Sequence, residues 1–108
     1  MTSPGEAAEI INAAVAATFT VPVAELHAPT RRGATVALAR QSAMYLAHVA
    51  FGLNFTEVGR AFGRDRTTAA HACRLIEDRR AEAGLDTTLA ELEHALRRDL
   101  VAMLGATS

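Results

Sequence analysis

The stretch Gly63-Arg64-Asp65-Arg66-Thr67-Thr68-Ala69-Ala70-His71-Ala72-Cys73 decides how this 108-residue chain folds. Its glycine ends a short segment whose apolar side is Val58, Ala61 and Phe62. Asp65 is placed to cap a second helix by accepting hydrogen bonds from the free amides of its first turn. That helix is expected to run to about Glu82. With Arg66 at zero and about 100° per residue, Ala69, Ala72, Cys73 and Ile76 fall between roughly 240° and 340°, a narrow stripe of mostly small apolar side chains. Thr67, His71, Arg74 and Asp78 fall between about 80° and 140°, on the far side. A short helix, a tight turn with glycine, and a second helix that packs through alanines while presenting Arg, Thr and His outward make a helix-turn-helix pattern, one that many other helical pairs match loosely.

Working outward, Asn54 with Glu57 three residues on reads as a capping box that opens the short helix, just after Gly52 closes the one before it. That preceding helix is expected over Thr35 to Phe51. Arg40, Gln41 and His48 share one side of it, with Leu38, Ser42, Leu46 and Val49 largely opposite, so it is mostly buried with one wet edge. The edge either faces water or lies along a phosphate backbone, and Tyr45 suits the core or the edge equally. Residues 27 to 34, His-Ala-Pro-Thr-Arg-Arg-Gly-Ala, read as a loop. Its pair Arg31 and Arg32 is either solvated surface or a basic arm for a minor groove.

At the N-terminus, Thr2-Ser3-Pro4 reads as a helix start, and Ile10, Ile11, Ala14, Val15, Thr18 and Phe19 recur at helical spacing, which gives an amphipathic helix over about 4 to 18. Thr20-Val21-Pro22 breaks it, and Val23 to Leu26 have room for one more turn. At the other end, Gly84 ends the second helix of the pair and Thr88 with Glu91 offers another capping box. Leu89, Leu92, Leu96, Leu100 and Met103 then predict a closing helix over about 88 to 104; such a leucine stripe can instead dimerise, but this seam is short for a coiled coil.

Half of the residues are apolar, aromatics are only 5%, and alanine is the commonest residue, which favours close-packed helices. The expected class is therefore an all-α, compact helical domain with a helix-turn-helix and no sheet, occupying residues 1 to 108. One cysteine excludes an internal disulfide, no apolar run approaches the length of a membrane span, and the N-terminus lacks a basic signal start, so a cytoplasmic location without a membrane partner is expected. The net charge of −1 hides a division. Residues 31 to 80 hold nine arginines against four acids, a balance of +5, while the remainder holds two against eight. Every basic residue is arginine, which suits bidentate phosphate and guanine contacts, although a GC-rich genome gives the same bias. His71 and Cys73 read as a surface hydrogen-bonding group and a core residue rather than as metal or catalytic groups. No nucleophile-base pair, metal cluster or phosphate loop is visible and the histidines are scattered, so neither an enzyme nor a cofactor is expected.

Three segments resemble the C-terminal DNA-binding domain of the bacterial replication initiator DnaA: Ala-Arg-Gln-Ser-Ala-Met-Tyr-Leu-Ala at 39 to 47, Val-Gly-Arg-Ala-Phe-Gly at 58 to 63, and Arg-Asp-Arg-Thr-Thr-Ala-Ala-His-Ala-Cys at 64 to 73. The last is similar to the long family signature R-D-H-T-T-V-x-H-A. The resemblance extends from about Ile10 to Leu104. It implies a Trp-repressor-like helix-turn-helix that binds double-stranded DNA at DnaA-box-like sites.

By the same resemblance, Arg31 and Arg32 match the loop arginine that reads the minor groove, Arg40 and Gln41 match backbone-contacting positions, and His48 stands where a phosphate-contacting lysine is frequent. Asp65, Arg66, Thr67 and Thr68 match residues that approach base edges and phosphates in the major groove. Arg64, beside them, and His71 and Arg74, on the outward face by angle, complete the expected DNA-binding set. Arg66 replaces a usual histidine, and its ability to hold guanine O6 and N7 bidentately implies a site different from the standard box. One glycine of the family's Gly-Gly turn is missing before Arg64, and Ala34 and Leu38 stand where the family is more basic. With no glycine-rich phosphate loop in these residues, the expectation is a stand-alone, nucleoid-associated regulator of transcription or replication that uses no nucleotide, with double-stranded DNA as its partner and another DNA-bound protein as a further candidate. The competing reading is a module that keeps the fold and binds a protein partner, which the acidic remainder of the chain and the leucine-bearing last helix would suit.

Overall fold

In the computed structural model, which describes residues 3–27, 33–82 and 84–106, three of the helices open at a residue whose side chain caps them. Helix α1, Pro4–Phe19, opens with Ser3 accepting from the Glu6 amide and closes at Thr20, whose left-handed backbone lets the Val21 amide return to Ala16 O. After Pro22 comes the five-residue α2, Val23–His27. Helix α3 is Ala34–Val49. Helix α4, Phe55–Phe62, carries the full capping box: Glu57 N–H donates to Asn54 Oδ1 at 2.8 Å and Asn54 N–H donates to Glu57 Oε1 at 2.9 Å. Helix α5 is Arg66–Arg79 and α6 is Leu85–Ala106. Among the described residues there is no strand, and no helix is long and apolar enough to cross a membrane.

Three expectations need correction. The loop expected over 27 to 34 is shorter, since His27 is the last residue of α2 and Ala34 the first of α3. Arg31 and Arg32 lie outside the described residues. Helix α5 stops at Arg79 rather than near Glu82, its last turn tightened by the Arg80 amide bonding to Glu77 O. Helix α6 starts at Leu85, and the box expected from Thr88 and Glu91 is not formed. Gly84 has φ +83°, and the amide and hydroxyl of Thr88 both donate to its carbonyl, which places Thr88 inside the first turn. Starting three residues early allows Leu85 to enter the core ahead of Leu89, Leu92 and Leu96.

Helix α3 packs against each of the other five helices, which is why almost every residue from Ala39 to Ala47 is buried or half-buried. Around it lie Ile11 and Val15 of α1, Val58 of α4, Ile76 of α5, and Leu85, Leu89, Leu92 and Leu96 of α6. The alanine-rich faces of α3 and α5 bring these helices close together, and α4 lies across both. The result is an all-α fold in which α4, the turn at 63 to 65 and α5 form the helix-turn-helix.

Candidate nucleic-acid interface

Helix α5 is divided as its periodicity predicts. Ala69, Ala72, Cys73 and Ile76 are buried, whereas Arg66, Thr67, Thr68, His71 and Arg74 are exposed. Burial pushes the Cys73 thiol up to about 11, with Glu77 adding to the shift, so it stays protonated as a core group. At the exposed start of α5, Asp65 accepts from the Thr68 amide at 2.7 Å. That amide, followed by the Thr68 hydroxyl, holds the Asp65 carboxyl below its ordinary range. Because the folded value is the depressed one, the cap stabilises the fold fully above the unfolded value of about 3.9 and loses that contribution as pH falls further through the folded value. Asp65→Asn keeps a capping side chain that has no charge to lose. We expect the stability difference between the two proteins to shrink below pH 4 in urea titrations, and a difference constant from pH 7 to pH 2.5 would rule out the charged cap.

A groove of about 320 Å³ opens along the seam between α3 and α5. Met44, Ala37 and Ala72 contribute apolar lining, and Arg40, Gln41, Arg64, Thr68 and His71 supply the polar groups. Five of the residues singled out in the sequence thus come together from two helices and the turn. Arg40 is tethered within this cluster: its Nε and Nη2 donate to the Glu25 carbonyl at 3.2 and 2.7 Å, which ties α3 to α2. His48 does not join the cluster. Its Nδ1 lies 2.8 Å from Leu53 O and its ring stacks on Phe55 at 4.5 Å. A carbonyl only accepts, so Nδ1 carries the hydrogen and Nε2 is the nitrogen left to meet another group. The wet edge of α3 is therefore two separate places rather than one strip.

Residues 8–76 match the family model described as the bacterial dnaA protein helix-turn-helix, and the matched span runs from α1 through most of α5. The chain belongs to this DnaA helix-turn-helix family. It is 44% identical over 91 residues to the chromosomal replication initiator protein DnaA of Bordetella pertussis, covering 82% of this chain and 19% of that protein. The DnaA of a Bradyrhizobium species is 49% identical over 72 residues, covering 66% of this chain and 14% of the relative. That of Mesorhizobium japonicum is 44% identical over 91 residues, covering 83% and 18%. The chain thus spans about a fifth or less of the length of these DnaA proteins.

In this DnaA-type domain two structural features escape a periodicity reading. The first is Gly59. Its carbonyl accepts from the amides of both Gly63 and Arg64, and the Arg64–Asp65 backbone lies directly on its Cα. The second is Arg80, which donates to the buried Tyr45 hydroxyl at 2.8 Å and to Asp86 Oδ1 at 2.7 Å, with its guanidinium 5.7 Å from the Tyr45 ring centroid. One arginine thereby fixes the C-terminal end of α5 to both α3 and α6. Arg97 plays a similar part for α3, donating to Val49 O at 2.8 Å near the C-terminal end of that helix. Among the described residues no group of three or more His, Cys, Asp or Glu is placed to hold a metal ion.

Proposed function

We propose that this domain binds double-stranded DNA at short DnaA-box-like sites and regulates transcription or replication through that binding, with neither catalysis nor a nucleotide required of these residues. The observation that carries the proposal is the exposed face of α5, Arg66, Thr67, His71 and Arg74, set beside a groove with Arg40, Gln41, Arg64 and Thr68. An α-helix fits the major groove, threonine offers a hydroxyl and a methyl to base edges, and arginine fits guanine or phosphate. Arg31 and Arg32 belong to the same proposal as a minor-groove arm, and His48 as an outlying phosphate contact. A cytoplasmic, nucleoid-associated location is what such a role requires.

Fluorescence anisotropy on a box-containing and a scrambled duplex at two salt concentrations tests the proposal. The box is expected to bind more tightly, with both affinities falling as salt rises. Equal affinity for the two duplexes removes sequence-specific recognition, and no binding at low salt removes DNA altogether. Arg66→Ala is expected to cost about 1–3 kcal/mol on the preferred duplex and to relax the preference at one base pair. Selection from a random-sequence pool reads this directly, and an unchanged preference profile takes Arg66 out of the readout.

A further inference from the structure

The exposed face of α5 changes sign along its length. Its first two and a half turns present Arg66, His71 and Arg74, and the turn after them presents Glu77 and Asp78, which are exposed and lie on the same half of the helix as Arg66 and Arg74. The arginines that follow are already committed within the protein. Arg79 donates to both carboxylate oxygens of Glu82 at 3.1 and 3.2 Å, and Arg80 is held by Tyr45 and Asp86. The helix dipole adds partial negative charge at this same end. The C-terminal half of the face is therefore repulsive to phosphate while the N-terminal half is attractive.

Geometry makes this division matter. Fourteen residues make α5 about 21 Å long, and the major groove is about 12 Å wide. Entering by its first two turns, the helix leaves Glu77 and Asp78 outside the groove. Lying flat along the duplex, it presses both carboxylates against phosphates. We infer that Glu77 and Asp78 are specificity-determining residues that act by repulsion, admitting α5 to DNA only by its N-terminal end and disfavouring the flat, sequence-independent contact. Discrimination between sites is then built partly on a penalty against the wrong complex and not only on contacts in the right one. The inference rests on the DNA-binding proposal above and adds a role that an α5 face of uniformly positive charge would lack.

The test uses the full chain with Glu77→Gln and Asp78→Asn together. Both positions are exposed and stand at the end of the helix where carboxylates are unfavourable, so the variant is expected to fold at least as well as the parent. The probes are the duplex selected from a random pool by the parent chain and a scrambled version of it. Affinity for the scrambled duplex should rise about five- to tenfold, the size expected for relieving like-charge contacts near water, while affinity for the selected duplex changes less than about twofold. A control with Glu91→Gln and Asp99→Asn on the exposed side of α6 changes the net charge equally and should raise both affinities by the same small factor. If the α5 variant behaves like this control, or changes neither affinity, the two carboxylates do not set specificity. If the parent chain binds no duplex at low salt, the DNA proposal itself fails, an outcome readable before any variant is made.

Discussion

Gly59→Ala is expected to destabilise the domain by about 2–3 kcal/mol, even though alanine is the better helix former by up to about 1 kcal/mol. A Cβ built on Gly59 would lie 2.7 Å from Arg64 O, 2.9 Å from Asp65 C and 3.0 Å from Asp65 O. All three are backbone atoms, so no side chain can rotate to relieve the contact. The approach cannot simply be loosened, because the Arg64 amide donates to Gly59 O at 2.7 Å and the next residue, Asp65, is the N-cap of α5. Relief requires α4 and α5 to separate, which opens the turn that sets the pose of Arg66 and Thr67. In urea the midpoint should fall with the slope unchanged, and duplex affinity should drop even where the protein remains folded. Gly63→Ala provides the contrast. Gly63 has φ +68° but open space around it, so the cost is the left-handed backbone alone, about 1–2 kcal/mol. A Gly59→Ala protein as stable as the parent would disprove the close approach.

The same two glycines show how far the sequence carries. Gly63 is legible because it follows an apolar helical segment and precedes a capping aspartate, a local pattern with a local cause. Gly59 sits inside a helix where glycine is unfavourable, and only the path of a later segment explains it. The inside and outside of α5 were readable because small apolar residues recur at helical spacing and burial follows that spacing. Arg80 shows the limit of such counting. On the same wheel it falls near 320°, within the apolar stripe, and angle alone gives a cation there no partner. The partner, Tyr45, is 35 positions away, and nothing in the sequence pattern favoured the core over the edge for it. The start of α6 departs from its local signal for a related reason. Thr88 with Glu91 has the letters of a capping box, and the burial of Leu85 together with the left-handed turn at Gly84 moves the start forward. Angle alone puts Arg40 on a wet edge, and the carbonyl of Glu25, which holds it, comes from a helix too short to carry a pattern.

Ile76→Ala is expected to have an effect as large as any at a position that touches no DNA. Of the four buried residues of α5, three are Ala69, Ala72 and Cys73, so Ile76 is the one large side chain that anchors this helix in the core. It is fully buried within the cluster that also holds Val58 of α4 and Leu46 of α3. Removing its three outer carbons forfeits their burial and leaves a void that the rigid helix–helix contacts cannot collapse to fill, a loss of about 2–5 kcal/mol. For a chain of this length, thermal unfolding should move down by roughly 10–25 °C. The consequence for binding is temperature-dependent. Well below the new midpoint α5 is still docked through its alanines, and affinity for the preferred duplex should stay within about threefold of the parent. Near the midpoint the fraction of competent protein falls, and apparent affinity falls with it. Cys73→Ala, which removes only a sulfur from the same seam, should do far less of both. If Ile76→Ala shifts the midpoint no more than Cys73→Ala does, α5 is held by its alanine contacts and by Arg80 rather than by one buried isoleucine.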